Sequence, residues 1–140
     1  MVYKKVLLAV DGSEHSVRAA NEAVKISSLG NDSQVELVYV ADFGKSKSEV
    51  LHAQGQEELD FARRNRLLPV EELMKSNQLT YTVKILHGEP GPALVEYANK
   101  EKVELLVIGS RGLNTLQEMV LGSVSHKVVK RANCPVLVVK

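Results

Sequence analysis

The chain has 140 residues, 44% of them hydrophobic and 25% charged, with a net charge of +1 at neutral pH and one cysteine. That length and apolar content suit a single domain over residues 1–140, with a core that needs no disulfide or metal staple. The lone Cys134 excludes an intrachain disulfide and a thiolate zinc cluster, and it fits a reducing, cytoplasmic compartment. The near-neutral charge argues against general attraction to nucleic acid or membrane, and the opening MVYKKVLLAV is too short an apolar run for a signal-peptide core or a span of roughly 20 residues.

Tyr3 to Val10 is aliphatic with little alternation, as expected of a strand covered on both faces. It stops at Asp11-Gly12-Ser13, where Ser13 or Asp11 can cap a helix. In that helix Val17, Ala20, Ala23, Val24 and Ser27 recur at three- and four-residue spacing, and Gly30, Asn31 and Asp32 end it. Gln34 to Val40 is a second aliphatic run. The polar stretch 42–56 reads as a mobile loop grading into a helix that Leu59, Ala62, Leu73 and Met74 carry to about Ser76, with Pro69 expected to kink or split it. Leu79 to Leu86 alternates, with Tyr81, Val83 and Ile85 on one side and Thr80, Thr82 and Lys84 on the other, the pattern of an edge strand.

Gly88-Glu89-Pro90-Gly91-Pro92 is a turn whose prolines suit a helix start, and Leu94, Tyr97, Ala98 and Glu101 follow at helical spacing. Glu104 to Ile108 is the next buried strand, a helix on Val124, Val128 and Ala132 runs from about Ser123 to Ala132, and Pro135 to Val139 closes the chain as a fifth strand. Regular β-α alternation predicts a parallel sheet with helices on both faces. In such sheets ligands lie beyond the carboxyl ends of the strands, where the strand order reverses. The segments after Val10, Val40 and Ile108 are therefore the places for chemistry.

Residues 109–125 read GSRGLNTLQEMVLGSVS, with Gly109 and Gly112 after the fourth strand and Gly122-Ser123 at the mouth of the last helix. Glycines there can take positive φ and let backbone N–H groups approach an anion. The N–H groups of Gly122 to Ser125 open a helix, where the dipole favours phosphate; the hydroxyls of Ser123 and Ser125 can add donors and Arg111 a bidentate contact. From Arg111 onward the chain carries a net +4. A handful of charge-assisted hydrogen bonds, each worth about 1.5–3 kcal/mol, supplies most of the roughly −8 kcal/mol of micromolar binding. Glycines alone would more often be mere turn formers; their place between a buried strand and a helix raises the case for phosphate. No GxxxxGK[ST] is present and no GxGxxG follows the first strand, which disfavours a P-loop NTPase and an ordinary dinucleotide enzyme.

The segment resembles the universal stress protein family, whose ATP-binding members show GxxGxxxxxxxxxG followed by Ser or Thr; Gly109, Gly112, Gly122 and Ser123 match with the nine-residue gap. The likeness extends from VLLAVDGSEHS through LVYVAD and HGEPGPALVEYA to the closing ANCPVLVVK. It implies a three-layer, Rossmann-like α/β fold with a five-stranded parallel sheet of order 3-2-1-4-5. It also implies an ATP site with Mg²⁺ accompanying the nucleotide. Asp11 would contact ribose or phosphate, Val40 would meet adenine through its backbone, and the strand ends Ala9, Val10 and Ile108 would border the site. Gly109, Ser110, Arg111 and Gly112 would surround ribose and phosphates, while Gly122, Ser123, Val124 and Ser125 would hold the phosphate chain. The resemblance further implies a homodimer through the last strand, Val136 to Val139, whose bare edge would otherwise invite association.

Other features carry less. Asp11 can help hold Mg²⁺, which usually takes one or two carboxylates and several waters, an N-capping role being the equal alternative. His15, His52, His87 and His126 lack metal-ligand spacing and read as surface or packing residues. Cys134 has no evident His and Asn/Asp partner and reads as a small buried hydrophobe, GxSxG is absent around Ser13, and Arg63, Arg64 and Arg66 read as a solvated helix face rather than a nucleic-acid site. No general base or arginine finger is evident. The expected function is a nucleotide-dependent binding module in a stress-response or regulatory role, whose protein partner the sequence leaves open. The alternatives are a slow or partner-assisted ATPase and a sensor of AMP or a cyclic dinucleotide.

Overall fold

The computed structural model describes residues 3–30, 32–41, 56–111 and 121–140, with 56–61 described by backbone alone. The Gly112 expectation, the 42–55 stretch and His52 lie outside the described residues. Strands β1 (Lys5–Ala9), β2 (Gln34–Ala41), β3 (Tyr81–His87), β4 (Leu105–Gly109) and β5 (Val136–Val139) alternate with helices α1 (Glu14–Ser27), α2 (Gln56–Ser76), α3 (Pro90–Lys100) and α4 (Ser123–Arg131). The strands form one sheet in the order β3-β2-β1-β4-β5, and every neighbouring pair is parallel. Among the described residues no helix is long and apolar enough to cross a membrane.

The aliphatic runs are continuous because the sheet has a core on each side. Along β1, Val6 and Leu8 join Ala19, Ala20 and Ala23 of α1 and Leu67, Val70 and Met74 of α2. Leu7 and Ala9 turn the other way, onto Leu94 and Ala98 of α3 and Val128 of α4. Alternate residues of one strand thus face different helix pairs, which keeps Val6 to Ala9 apolar throughout. The buried face of α1 is made of small residues (Ser16, Ala19, Ala20, Ala23), which lets that helix lie close to the sheet.

Two local expectations change. Helix α2 runs unbroken through Pro69. Pro69 and the carbonyl-bearing Asn65 one turn before it are both on the exposed face, so the lost backbone bond falls where water can replace it, while Leu67, Val70 and Met74 keep the buried face. On β3, Tyr81 and Ile85 pack on the α1–α2 core, but Val83 is 40% exposed. As an edge strand, β3 lies where helix cover thins.

Candidate functional site

The sheet order reverses between β1 and β4: β1 leads to β2 on one side, while the chain returns to β4 on the other. Their carboxyl ends therefore open a crevice flanked by the starts of α1 and α4.

At the first corner, Val10 is buried and its N–H is bonded to the Val38 carbonyl at 2.9 Å. Asp11, half-buried, accepts the Ser13 N–H on Oδ1 at 2.9 Å. Gly12 between them has φ +87°, a backbone region that side chains avoid. Ser13 is the N-cap of α1, its Oγ accepting the Ser16 N–H at 3.2 Å, and the Ser16 hydroxyl donates back to the Ser13 carbonyl at 2.8 Å. Of the two capping candidates, then, Ser13 is the cap and Asp11 braces the turn before it.

At the end of β2, Val40 is half-buried with its side chain on the α3–α4 core, and the next carbonyl, of Ala41, accepts the Gly88 N–H at 3.0 Å.

At the second corner Ala9 and Ile108 are 8% and 6% exposed and belong to the α3–α4 core. The Ser110 N–H reaches the Val139 carbonyl at 2.7 Å, and the Ser110 carbonyl accepts the Gly122 N–H at 2.7 Å. The buried Ser125 hydroxyl lies 2.8 Å from that same carbonyl and 3.0 Å from the Gly122 carbonyl, donating between them. Arg111 is half-buried beside this corner. Helix α4 begins with Gly122 as a cap without a side chain. The N–H groups of Ser123, Val124 and Ser125 occupy its first three positions, where no intrahelical acceptor exists, and no hydrogen bond takes them up among the described residues. No acidic side chain stands in that first turn.

The glycine argument is corrected here. Gly122 has φ −68° and ψ 164°, open to any residue, and Gly109 is not among the positive-φ glycines, which are Gly12 and Gly88 among the described residues. A Cβ on Gly109 would stand 2.8 Å from the backbone carbon and oxygen of His15. Gly109 is required by the close approach of α1 to β4, the consequence of α1's small-residue face. Ser125 is likewise corrected as a hydroxyl donor: its proton is already given to Ser110 or Gly122, which leaves its N–H facing outward from the helix start.

The sequence reading missed Arg66. Rather than lying on a solvated face, it is half-buried, packs its stem on Gly12 and donates from Nη1 to the Tyr39 hydroxyl at 2.5 Å. An Arg three turns into a helix, far from any motif, gave no signal of this.

Elsewhere, Cys134 is half-buried, and burial pushes its thiol pKa up, away from a reactive thiolate. It lines an open cleft of about 590 Å³ with Tyr3, Lys102 and Asn133, at the amino ends of the strands and away from the described site residues. Among the described residues no group of three His, Cys, Asp or Glu side chains could hold a metal ion.

Comparison with known proteins agrees with this architecture. Residues 2–140 match the universal stress protein family. The universal stress protein MJ0531 of Methanocaldococcus jannaschii is 34% identical, the alignment covering 99% of this chain and 83% of that protein. The structure of the hypothetical protein MJ0577 superposes with a TM-score of 0.85 at 30% identity, over 100% of this chain and 97% of that one. A universal stress protein crystallised in complex with cAMP superposes with a TM-score of 0.72 at 27% identity, over 100% and 98%. With the family matched over nearly its whole length and the sheet order the family implies, the chain belongs to the universal stress protein family.

Proposed function

We propose that residues 1–140 form one adenine-nucleotide-binding domain that acts as a regulatory, nucleotide-dependent binding module in the cytoplasm, with ATP as its ligand. The observation that carries this is the open start of α4, three N–H donors at the positive end of a helix dipole with no acid in its first turn. In this reading Ser123, Val124 and Ser125 hold phosphate through their backbone, with the Ser123 hydroxyl as a further donor. Asp11 and Arg111 border ribose and phosphates, and Val40 meets adenine through its backbone. The complex of a 27% identical family member with cAMP supports an adenine ligand.

Asp11 gives one oxygen to Ser13 and keeps another, which it could offer to a Mg²⁺ ion. The ion would come with the nucleotide, completed by phosphate oxygens and water. No arginine finger or general base is evident in the sequence, so we expect hydrolysis to be slow. The cAMP-bound relative also favours a second reading, a monophosphate signal, because the donors of α4 recognise one phosphate as readily as three.

One experiment addresses these points together. Native mass spectrometry of the freshly purified protein is expected to show a dimer paired through Val136–Val139 carrying retained nucleotide, whose released mass separates ATP from a monophosphate. Replacing Gly122 with Val, which its backbone angles permit, is expected to lower nucleotide affinity by at least about 100-fold with the fold intact. A nucleotide-free protein that millimolar ATP does not stabilise against heat would overturn the proposal, and a monomeric mass would overturn the dimer.

A further inference from the structure

We infer that Arg66 is a positioning residue of the nucleotide site, clamping the Asp11–Ser13 turn to the end of β2; this rests on the nucleotide reading above. A single side chain touches both the turn and the strand. Its Cγ, Cβ and Cδ lie 3.0, 3.2 and 3.4 Å from where a Cβ on Gly12 would stand, so the stem occupies the space over the turn. Its Nη1 donates to Tyr39 Oη at 2.5 Å, and its Cζ is 6.0 Å from the centre of the Tyr39 ring. Tyr39 is only 6% exposed, which makes its hydroxyl a fixed anchor, and it immediately precedes Val40.

The turn needs such a clamp. Gly12 is the most permissive residue available and stands in the left-handed region. Its neighbours are tied by local bonds at Asp11, Ser13 and Ser16, none of which fixes the glycine itself. A free loop would lose conformational entropy on meeting ligand, and a clamp removes that cost beforehand. The geometry also separates positioning from direct charge contact. Tyr39 belongs to the α1–α2 core, whereas Val40 belongs to the opposite one, so the guanidinium is held toward the helix layer while the stem faces the turn. Arginine suits this because its planar head reaches a fixed acceptor while the methylenes pack.

The test measures binding of adenosine, AMP and ATP to wild type, Arg66→Ala, Arg66→Met, Arg66→Lys and Tyr39→Phe, with amide exchange at Gly12 and Ser13 in the absence of ligand. Arg66→Ala is expected to weaken all three ligands by the same factor, about tenfold, because a loosened turn penalises each alike. Arg66→Met and Tyr39→Phe should lose part of that, and Arg66→Lys should return to within about threefold of wild type. Exchange at the two amides should quicken in Arg66→Ala and Arg66→Met, with Arg66→Met expected to melt near wild type. A loss that grows from adenosine to ATP would reassign Arg66 to direct phosphate contact and overturn the clamp, as would unchanged affinity or unchanged exchange. A wild-type protein that binds none of the three would overturn the nucleotide reading itself, and amide exchange would still decide whether Arg66 holds the turn.

Discussion

The starts of α1 and α4 stand at strand-to-helix corners on either side of the same crevice, yet they differ in their caps and in the charge of their first turns. At α1 the chain supplies its own acceptors: Asp11 Oδ1 takes the Ser13 N–H and Ser13 Oγ takes the Ser16 N–H, and Glu14 adds a negative charge to the first turn. At α4 the cap is Gly122, without a side chain, and no acid stands in the first turn. The inward groups of that corner, the Gly122 N–H and the Ser125 hydroxyl, tie α4 to the Ser110 carbonyl. What remains are donors pointing out. The α1 corner is partly closed, its third donor capped and an acid in its first turn, whereas the α4 corner is held rigid and left open, which is the arrangement expected of an anion site.

The largest effect expected from this contrast is at Gly109. Its missing Cβ is filled by the His15 backbone of the closed corner, with contacts at 2.8 Å that no flexible side chain can relieve. Gly109→Ala should therefore force α1 away from β4 and cost about 3 kcal/mol or prevent folding, read as the midpoint of urea unfolding. If Gly109→Ala were as stable as wild type, the two corners would not be packed as described.

That contact also shows where sequence reading stops. The strands were legible because burial on two faces demands unbroken aliphatic runs, and the crevice was legible because a parallel α/β sheet puts its binding loops at the carboxyl ends. Gly109 and Gly122 were found through their spacing, but the reason for each was not, since a glycine records that a Cβ is unwelcome without saying whether ligand or protein excludes it. Arg66 stayed invisible because its partners, Gly12 and Tyr39, are brought to it only when α2 docks on the sheet. Pro69 does not split its helix for a similar reason: whether a helix breaks depends on which face the lost bond falls on, and here that face is exposed.

The next effect in size tests the rigid part of the open corner. Ser125→Ala removes the buried donor to the Ser110 carbonyl, which among the described residues keeps the Gly122 N–H. It should cost about 1.5 kcal/mol, or about 4 °C in melting temperature for a domain of this size. Because the Ser125 N–H remains, ATP affinity should fall by less than about threefold, whereas a far larger loss would return the hydroxyl to the ligand.

Smallest of all, and most direct, is a pair of serines at matched corners. Ser13→Ala deletes the acceptor that closes α1, leaving the Ser16 N–H without a partner inside a buried first turn, and should cost about 1 kcal/mol. Ser123→Ala removes an exposed hydroxyl one position beyond a cap that makes no side-chain bond. It should move stability by less than about 0.5 kcal/mol while weakening ATP severalfold, measured by thermal melting with and without nucleotide. If instead the first substitution left stability unchanged and the second reduced it, the closed and open corners would be exchanged. The anion would then have to be sought at α1, where Asp11 and Glu14 would repel it.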